Sequence, residues 1–151
     1  MGELLQPWHL MVLFFLFGLF LLPTIFYILS LQKALKKCSL ASRTMQPETM
    51  WLLLIPVFNL IWSFLVVSGI SQSLGNEFRA RNIIVEPEPG KSLGMAMCIC
   101  AACGIIPVLG LLTSLAGLVL WIMYWSKIAG YSRQLDIVPY MGTTPNIAPG
   151  V

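Results

Sequence analysis

Charged side chains are scarce in this sequence, and they are missing from its long apolar stretches. Asp, Glu, Lys and Arg make up 10% of the 151 residues, against roughly 25% in soluble domains, while apolar side chains make up 58%. The stretch from Leu93 to Trp125 contains no Asp, Glu, Lys, Arg or His. This composition argues against an ordinary soluble domain and indicates one small integral membrane domain.

The lack of Asp, Glu, Lys and Arg within every apolar segment also limits the possible functions. Proton-coupled carriers and most ion pathways need such groups at depth, and membrane enzymes need acids, bases or metal ligands. We therefore expect a protein that is not an enzyme, with no catalytic residue, metal or cofactor. The net charge of +3 does not indicate nucleic-acid binding, because the nine basic residues cluster beside apolar segments, as membrane flanks do.

Histidine and cysteine offer little for a metal or redox site. Three of the four cysteines form the pattern Cys98-x-Cys100-x-x-Cys103, and only one histidine is present. On a helix Cys100 and Cys103 are neighbours while Cys98 points elsewhere, and no His, Asp or Glu nearby completes a site. We interpret these cysteines, with Gly94 and Ala102, as small residues that let helices approach closely.

The apolar residues form three blocks, and two of the blocks contain a central proline. The first block, about residues 8–31, is long enough for one full span. The second, about residues 50–70, is interrupted at Pro56, and the third is interrupted at Pro107. Both interruptions carry a small or amide residue three positions later: Asn59 and Gly110. The second and third blocks are therefore each predicted to bend back at their central proline.

The predicted fold is an all-α integral membrane protein. It has one full N-terminal span plus two proline-centred helical hairpins, which gives three to four membrane segments. The third block supplies two of these segments, at about residues 93–106 and 108–126. Residues 1–136 form the membrane domain, and residues 137–151 are predicted to be a flexible tail.

Two arrangements of the hairpins are possible, and the basic residues distinguish them. If residues 50–70 cross the membrane and residues 93–125 cross it twice, four basic residues lie on one side and five on the other. If both hairpins re-enter and return to their starting side, all nine lie on one side. The tendency of Lys and Arg to stay in the cytoplasm favours the second arrangement, with the amino terminus outside and the carboxyl terminus in the cytoplasm.

Two helices are predicted to continue into the cytoplasm with amphipathic ends. After the second block an apolar stripe persists while Arg79 and its neighbours are polar, and Glu77 and Arg81 form an i,i+4 pair in the favourable order. The third block continues through Lys127 to Arg133 in a similar way. These five charged residues are the predicted cytoplasmic interface.

Three stretches resemble a known protein family. WLLLIPVFNLIW from Trp51, SQSLGNEFRAR from Ser71 and WIMYWSKIAGYS from Trp121 look like a family of small bacterial membrane proteins that is defined only as a domain of unknown function. The resemblance covers roughly residues 45–135 and rests on the Pro-x-x-Asn bend and the aromatic-lysine exit. It implies a multi-pass bacterial inner-membrane protein, and it carries over no catalytic residue.

Three classes of function fit a membrane domain of this kind. We favour a non-catalytic accessory or scaffold subunit of a larger bacterial membrane complex, with lipids and other membrane subunits or further copies of itself as partners. Small residues would admit the partner helices: Gly94, Cys98, Ala102, Ser114 and Gly117. One alternative is a small homo-oligomeric transporter or pore with a polar seam through Asn59, Ser63, Thr113 and Ser114. The other is a lipid- or quinone-binding module.

Overall fold

The computed structural model describes residues 6–104 and 106–138, and within these residues the fold is all-helical, as predicted. Most of the predicted tail, residues 139–151, lies outside them. The described helices are α1 (Pro7–Lys37), a 3₁₀ helix (Pro47–Leu54), α2 (Pro56–Ala80), α3 (Lys91–Cys103) and α4 (Pro107–Ile137).

Proline marks the start of α1, the 3₁₀ helix, α2 and α4. A first helical turn suits proline because its fixed φ is helical and the N–H that it lacks has no partner there. The two interruptions are built alike. At the start of α2 the Asn59 N–H donates to the Ile55 carbonyl at 2.7 Å, and at the start of α4 the Gly110 N–H donates to the Ile106 carbonyl at 2.7 Å.

The arm before Pro56 is a 3₁₀ helix of eight residues, which is long for this helix type. Side chains from both neighbouring helices bond its backbone. Gln32 of α1 donates to the Pro47 carbonyl at 3.0 Å, and Trp62 of α2 donates to the Thr49 carbonyl at 3.0 Å. These contacts hold the arm between α1 and α2.

The three long helices run parallel, with their carboxyl ends together. Tyr27 of α1 packs against Trp121 of α4, and ten residues later Lys37 bonds the Ser132 carbonyl, so α1 and α4 run in the same direction. Glu77, near the end of α2, bonds Ser39 just after α1. The 3₁₀ helix and α3 run the opposite way, and both hairpins therefore return to their starting side.

We call the end of the bundle where α1, α2 and α4 terminate the basic end, because all nine Lys and Arg residues lie toward it. The buried core lies in the same half of the molecule. Its fully buried apolar side chains include Leu31 and Leu35 of α1, Met50 of the 3₁₀ helix, Leu74 and Phe78 of α2, and Ile128 of α4.

Three of the described helices are long and apolar enough to cross a membrane: Pro7–Lys37, Val57–Ala80 and Gly110–Ile137. Away from the basic end they expose most of their apolar side chains. A fold that buries its core at one end and exposes apolar helices at the other is suited to a lipid environment.

Candidate functional site at the basic end

The parallel packing of α1, α2 and α4 creates an electrostatic requirement at the basic end. The last carbonyls of each helix have no partner within the helix, and each helix dipole places partial negative charge there. Three such ends lie side by side. Cations that bond these carbonyls stabilise the arrangement, and the chain supplies them from Arg81, Lys37 and Arg43.

Arg81 connects the ends of two helices from a position just after α2. Its Nη1 donates to the Leu135 carbonyl of α4 at 2.7 Å and to the Val138 carbonyl that follows, and its Nη2 donates to the Lys37 carbonyl of α1 at 3.2 Å. A guanidinium offers five N–H donors in a planar arrangement, so one side chain can bond both helix ends and a carboxylate.

The carboxylate that Arg81 binds is Glu77, one turn earlier on α2. Arg81 Nη2 lies 2.8 Å from Glu77 Oε1, and the two side chains are only 8% and 1% exposed. The other oxygen, Oε2, accepts hydrogen bonds from the backbone N–H and the hydroxyl of Ser39, both at 2.8 Å. A buried charge is costly unless it is paired and hydrogen-bonded, and here both conditions hold.

Lys37 and Arg43 complete the bonding of the helix ends. The Lys37 ammonium bonds the Ser132 carbonyl and the Asp136 carboxylate of α4. Arg43 donates to the Lys36 carbonyl at 2.7 Å and to the Cys38 carbonyl at 2.9 Å, which caps α1. The charged groups of Lys37 and Arg43 therefore bond mainly to other segments of the same chain.

Cys38 lies beneath this network and is buried. Burial, together with the nearby Glu77 carboxylate, raises the pKa of the Cys38 thiol to about 12. Because the thiolate is the reactive form, Cys38 is a poor nucleophile at neutral pH and acts as a packing residue.

Some of the basic residues remain available to the surroundings. Lys33, Lys36 and Arg133 are exposed and form no ion pair among the residues that the structure describes, and Arg79 is exposed as well. The outer surface of the basic end is therefore positively charged, and of the predicted interface residues Arg79 and Arg133 contribute to it.

The other predicted interface residues bond within the chain. Glu77 and Arg81 form the buried pair described above, which confirms the i,i+4 contact but turns it inward. Lys127 lies 3.3 Å from Glu86 and 5.9 Å from the centre of the Tyr131 ring. These three side chains therefore have partners within the chain, and only the Glu77–Arg81 pair is buried.

Most of the small residues expected at partner faces pack inside the chain. Gly94 and Cys98 are buried, and a Cβ added at Gly94 would lie 2.5 Å from Val67 of α2 and 2.8 Å from Tyr124 of α4. At Gly117 a Cβ would lie 3.5 Å from Cys100 of α3. Ala102 is half-buried, and Ser114 is exposed.

The bend residues have a structural role at the hairpin elbows. Pro56 and Pro107 begin helices, and a Cβ at Gly110 would lie only 2.8 Å from the Gly104 carbonyl oxygen, so the elbow between α3 and α4 needs a glycine there. Asn59 is half-buried, and its side chain makes no hydrogen bond within the described part of the chain. Its amide is free for a contact from outside.

The residues of the predicted polar seam lie on helices that α3 separates. α3 packs against both α2 and α4. The hydroxyls of Ser63 and Ser114 donate to carbonyls of their own helices, at 3.3 and 3.0 Å, and Thr113 does the same at 3.5 Å. Within one chain these groups do not face a common channel.

Sequence reasoning missed Ser39, Arg43 and Lys37 as members of the network at the helix ends. Their partners lie far away in sequence, and only the convergence of the helix ends brings them together. The cluster of basic residues near the end of α1 is the available signal, and by itself it indicates only a membrane flank.

No family model matches this chain, and neither a curated protein nor a solved structure matches it. Within the described residues no group of three or more His, Cys, Asp or Glu side chains is placed to hold a metal ion.

Proposed function

We propose that this chain is a non-catalytic accessory subunit of the bacterial inner membrane, which docks another membrane subunit along the first half of α1. One observation carries the proposal. From Leu10 to Phe17 every residue of α1 is between 48% and 79% exposed. Consecutive residues point in all directions around a helix, so no described part of the chain covers this segment on any side.

The shorter reach of the first hairpin leaves the first turns of α1 without a neighbour from α2. One level along the bundle axis is marked by four residues that contact one another in series through side chains or backbone: Tyr27, Val67, Gly94 and Tyr124. From that level α1 extends by about twenty residues to Pro7, or ~30 Å, and α2 extends by about eleven residues to Pro56, or ~17 Å. The first turns of α1 pass beyond the elbow of the first hairpin.

The aromatic character of this segment favours a protein partner. Phe14, Phe15 and Phe17 are among its exposed side chains. Large aromatic rings gain much from packing against another helix, through area and through ring–ring contacts. Lipid tails provide neither ring–ring contacts nor a helix surface for these side chains.

The charge distribution supports an orientation for this proposal. All nine Lys and Arg residues lie toward one end of the bundle, and cytoplasmic loops carry an excess of these residues. The basic end therefore faces the cytoplasm, and the amino terminus lies on the other side. The two hairpins enter the membrane from the cytoplasm and return to it.

The test combines native mass determination with photo-crosslinking in cells. A photoreactive residue is placed at Phe14 or, as a matched control, at Leu111 of α4, which is apolar and similarly exposed. The tagged protein is then extracted in mild detergent. We expect additional polypeptides in the native mass, and their crosslinking from position 14 and not from position 111.

Two results would overturn the proposal. A native mass that is a clean multiple of 16.8 kDa would favour the homo-oligomeric alternative. Crosslinks from position 14 to lipid alone would show that this segment is only an anchor.

A further inference from the structure

A groove between the beginning of α3 and the middle of α4 opens to the surface near the basic end. Its volume is about 580 Å³. The residues on its walls include Glu86, Ser92 and Lys127, which are polar, and Leu93, Ala96 and Met123, which are apolar. No helix from the described part of the chain covers the groove, since Ser92 and Met123 are both exposed.

The polar and apolar walls are separated along the groove. Met123 lies one helical turn before Lys127 on α4, and Ala96 lies one turn after Ser92 on α3. Because α3 and α4 run in opposite directions, both steps lead away from the basic end. The groove is therefore polar at the basic end and apolar farther along the helices from that end. An amphiphile bound at a membrane surface has the same polarity.

Exposed apolar side chains follow the apolar part of the groove along the two helices. The next positions on the same faces are Ile99 of α3 and Val119 of α4, and both are exposed. An acyl chain could lie along this path.

The polar part offers one charge of each sign. Lys127 Nζ lies 3.3 Å from Glu86 Oε1, and the two side chains are 36% and 61% exposed. A long, exposed ion pair of this kind contributes little and separates readily. An incoming headgroup that carries both a phosphate and a primary amine can replace each charge with a complementary partner.

From this groove we infer a binding site for a glycerophospholipid with an ethanolamine headgroup. The Lys127 ammonium and the Ser92 hydroxyl donate to the phosphate, the Glu86 carboxylate accepts from the amine, and one acyl chain follows Ala96 and Met123. The inference rests on the proposed membrane location, but not on the proposed docking of a partner to α1. An anionic phospholipid without an amine would still accept from Lys127 and Ser92, but it would offer no cation to the Glu86 carboxylate.

The test measures lipid binding to the purified full-length protein in detergent. After delipidation, phosphatidylethanolamine or phosphatidylglycerol is added at equal concentration, and the lipid-bound fraction is read by native mass spectrometry. The variants are Lys127→Ala, which removes a donor to the phosphate, and Met123→Trp, whose larger side chain fills the apolar part of the groove. Matched controls are Lys36→Ala, an exposed lysine that forms no ion pair with the described residues, and Met11→Trp, an exposed methionine on α1.

We expect the wild-type protein to prefer phosphatidylethanolamine. Loss of one charge-assisted hydrogen bond corresponds to roughly a tenfold loss of affinity, which is the effect expected for Lys127→Ala. Met123→Trp should reduce binding at least as much, and both controls should bind like the wild type. Glu86→Gln should weaken the preference over phosphatidylglycerol.

Equal binding of both lipids by the wild type and all variants would overturn the inference, because it would indicate non-specific lipid around the helices. Failure of this site and failure of the proposed function are distinguishable. Partner polypeptides without selective lipid binding would reject only the lipid site, whereas release of the protein from membranes by alkaline carbonate would reject the membrane location on which both proposals rest.

Discussion

Arg81 shows how a single side chain can join three parallel helices. It lies after α2, binds Glu77 of α2, and donates to carbonyls at the ends of α1 and α4. The Glu77 carboxylate is in turn fully supplied with donors by Arg81 and Ser39. Each member of this network is needed because the others are buried, and the free-energy cost of an unmatched charge there would be large.

The first prediction concerns this buried pair. Arg81→Met should lower the free energy of unfolding in mixed micelles by about 3–5 kcal/mol, because Glu77 would remain buried without its cation. The double variant Glu77→Gln with Arg81→Met should be less destabilised than the sum of the two single variants.

A matched control is available in the half-exposed i,i+3 pair between Lys91 and Glu88. Lys91→Met should change the free energy of unfolding by no more than about 1 kcal/mol. An equally small effect of Arg81→Met would show that the network at the helix ends does not hold the bundle together.

At the scale of helices, the bundle depends on one close crossing of α2, α3 and α4. Gly94 of α3 lies where Val67 of α2 and Tyr124 of α4 approach from two sides. Both neighbours are buried, and the Tyr124 ring also packs against Tyr27 of α1. A glycine here allows all four helices to meet.

The second prediction follows from the lack of space at Gly94. Gly94→Ala should lower the free energy of unfolding by about 1–3 kcal/mol, because its Cβ would lie 2.5 Å from Val67 and 2.8 Å from Tyr124. Adding Val67→Ala should restore part of the loss. Thermal unfolding in detergent measures both effects.

Gly130 of α4 provides the control, since a Cβ there would meet nothing within 4 Å. Gly130→Ala should be neutral or stabilising by up to about 1 kcal/mol, as expected from helix propensity. Equal effects of the two substitutions would contradict the packing argument.

For the whole molecule, the path of the chain is the main result. Three parallel helices require two return segments, and the chain provides them as the 3₁₀ helix and α3. The connections after α1 and after α2 therefore lie at the same end. Leu40 in the first and Ile84 in the second are both highly exposed.

The third prediction tests this path in a membrane. Single cysteines are introduced at Leu40 and at Ile84 in a background without Cys38, Cys98, Cys100 and Cys103. A membrane-impermeant maleimide should label both positions from the cytoplasmic side in inverted vesicles and neither in intact cells with a permeabilised outer membrane. An amino-terminal tag should show the opposite accessibility.

Labelling of the two positions from opposite sides would contradict the re-entrant path. It would mean that residues 50–70 cross the membrane fully, which is the arrangement that the basic residues disfavour.

By itself the sequence determined the all-helical fold and the two proline interruptions, because hydropathy, helix length and proline chemistry act locally. The uneven placement of Lys and Arg also favoured, from sequence alone, the chain path that the structure has. Residues such as Glu77 and Arg81 were recognised as a pair for the same reason, since they lie one turn apart on one helix.

Only the tertiary structure decided which way these residues face and what they contact. Ser39 and Leu135 lie far from Arg81 in sequence, and Val67 and Tyr124 lie far from Gly94, so no local pattern indicates these contacts. The same holds for the small residues, because a glycine that admits a partner helix and one that admits a helix of its own chain have the same sequence signature. The directions of the helices, which set these distances, are a property of the folded chain.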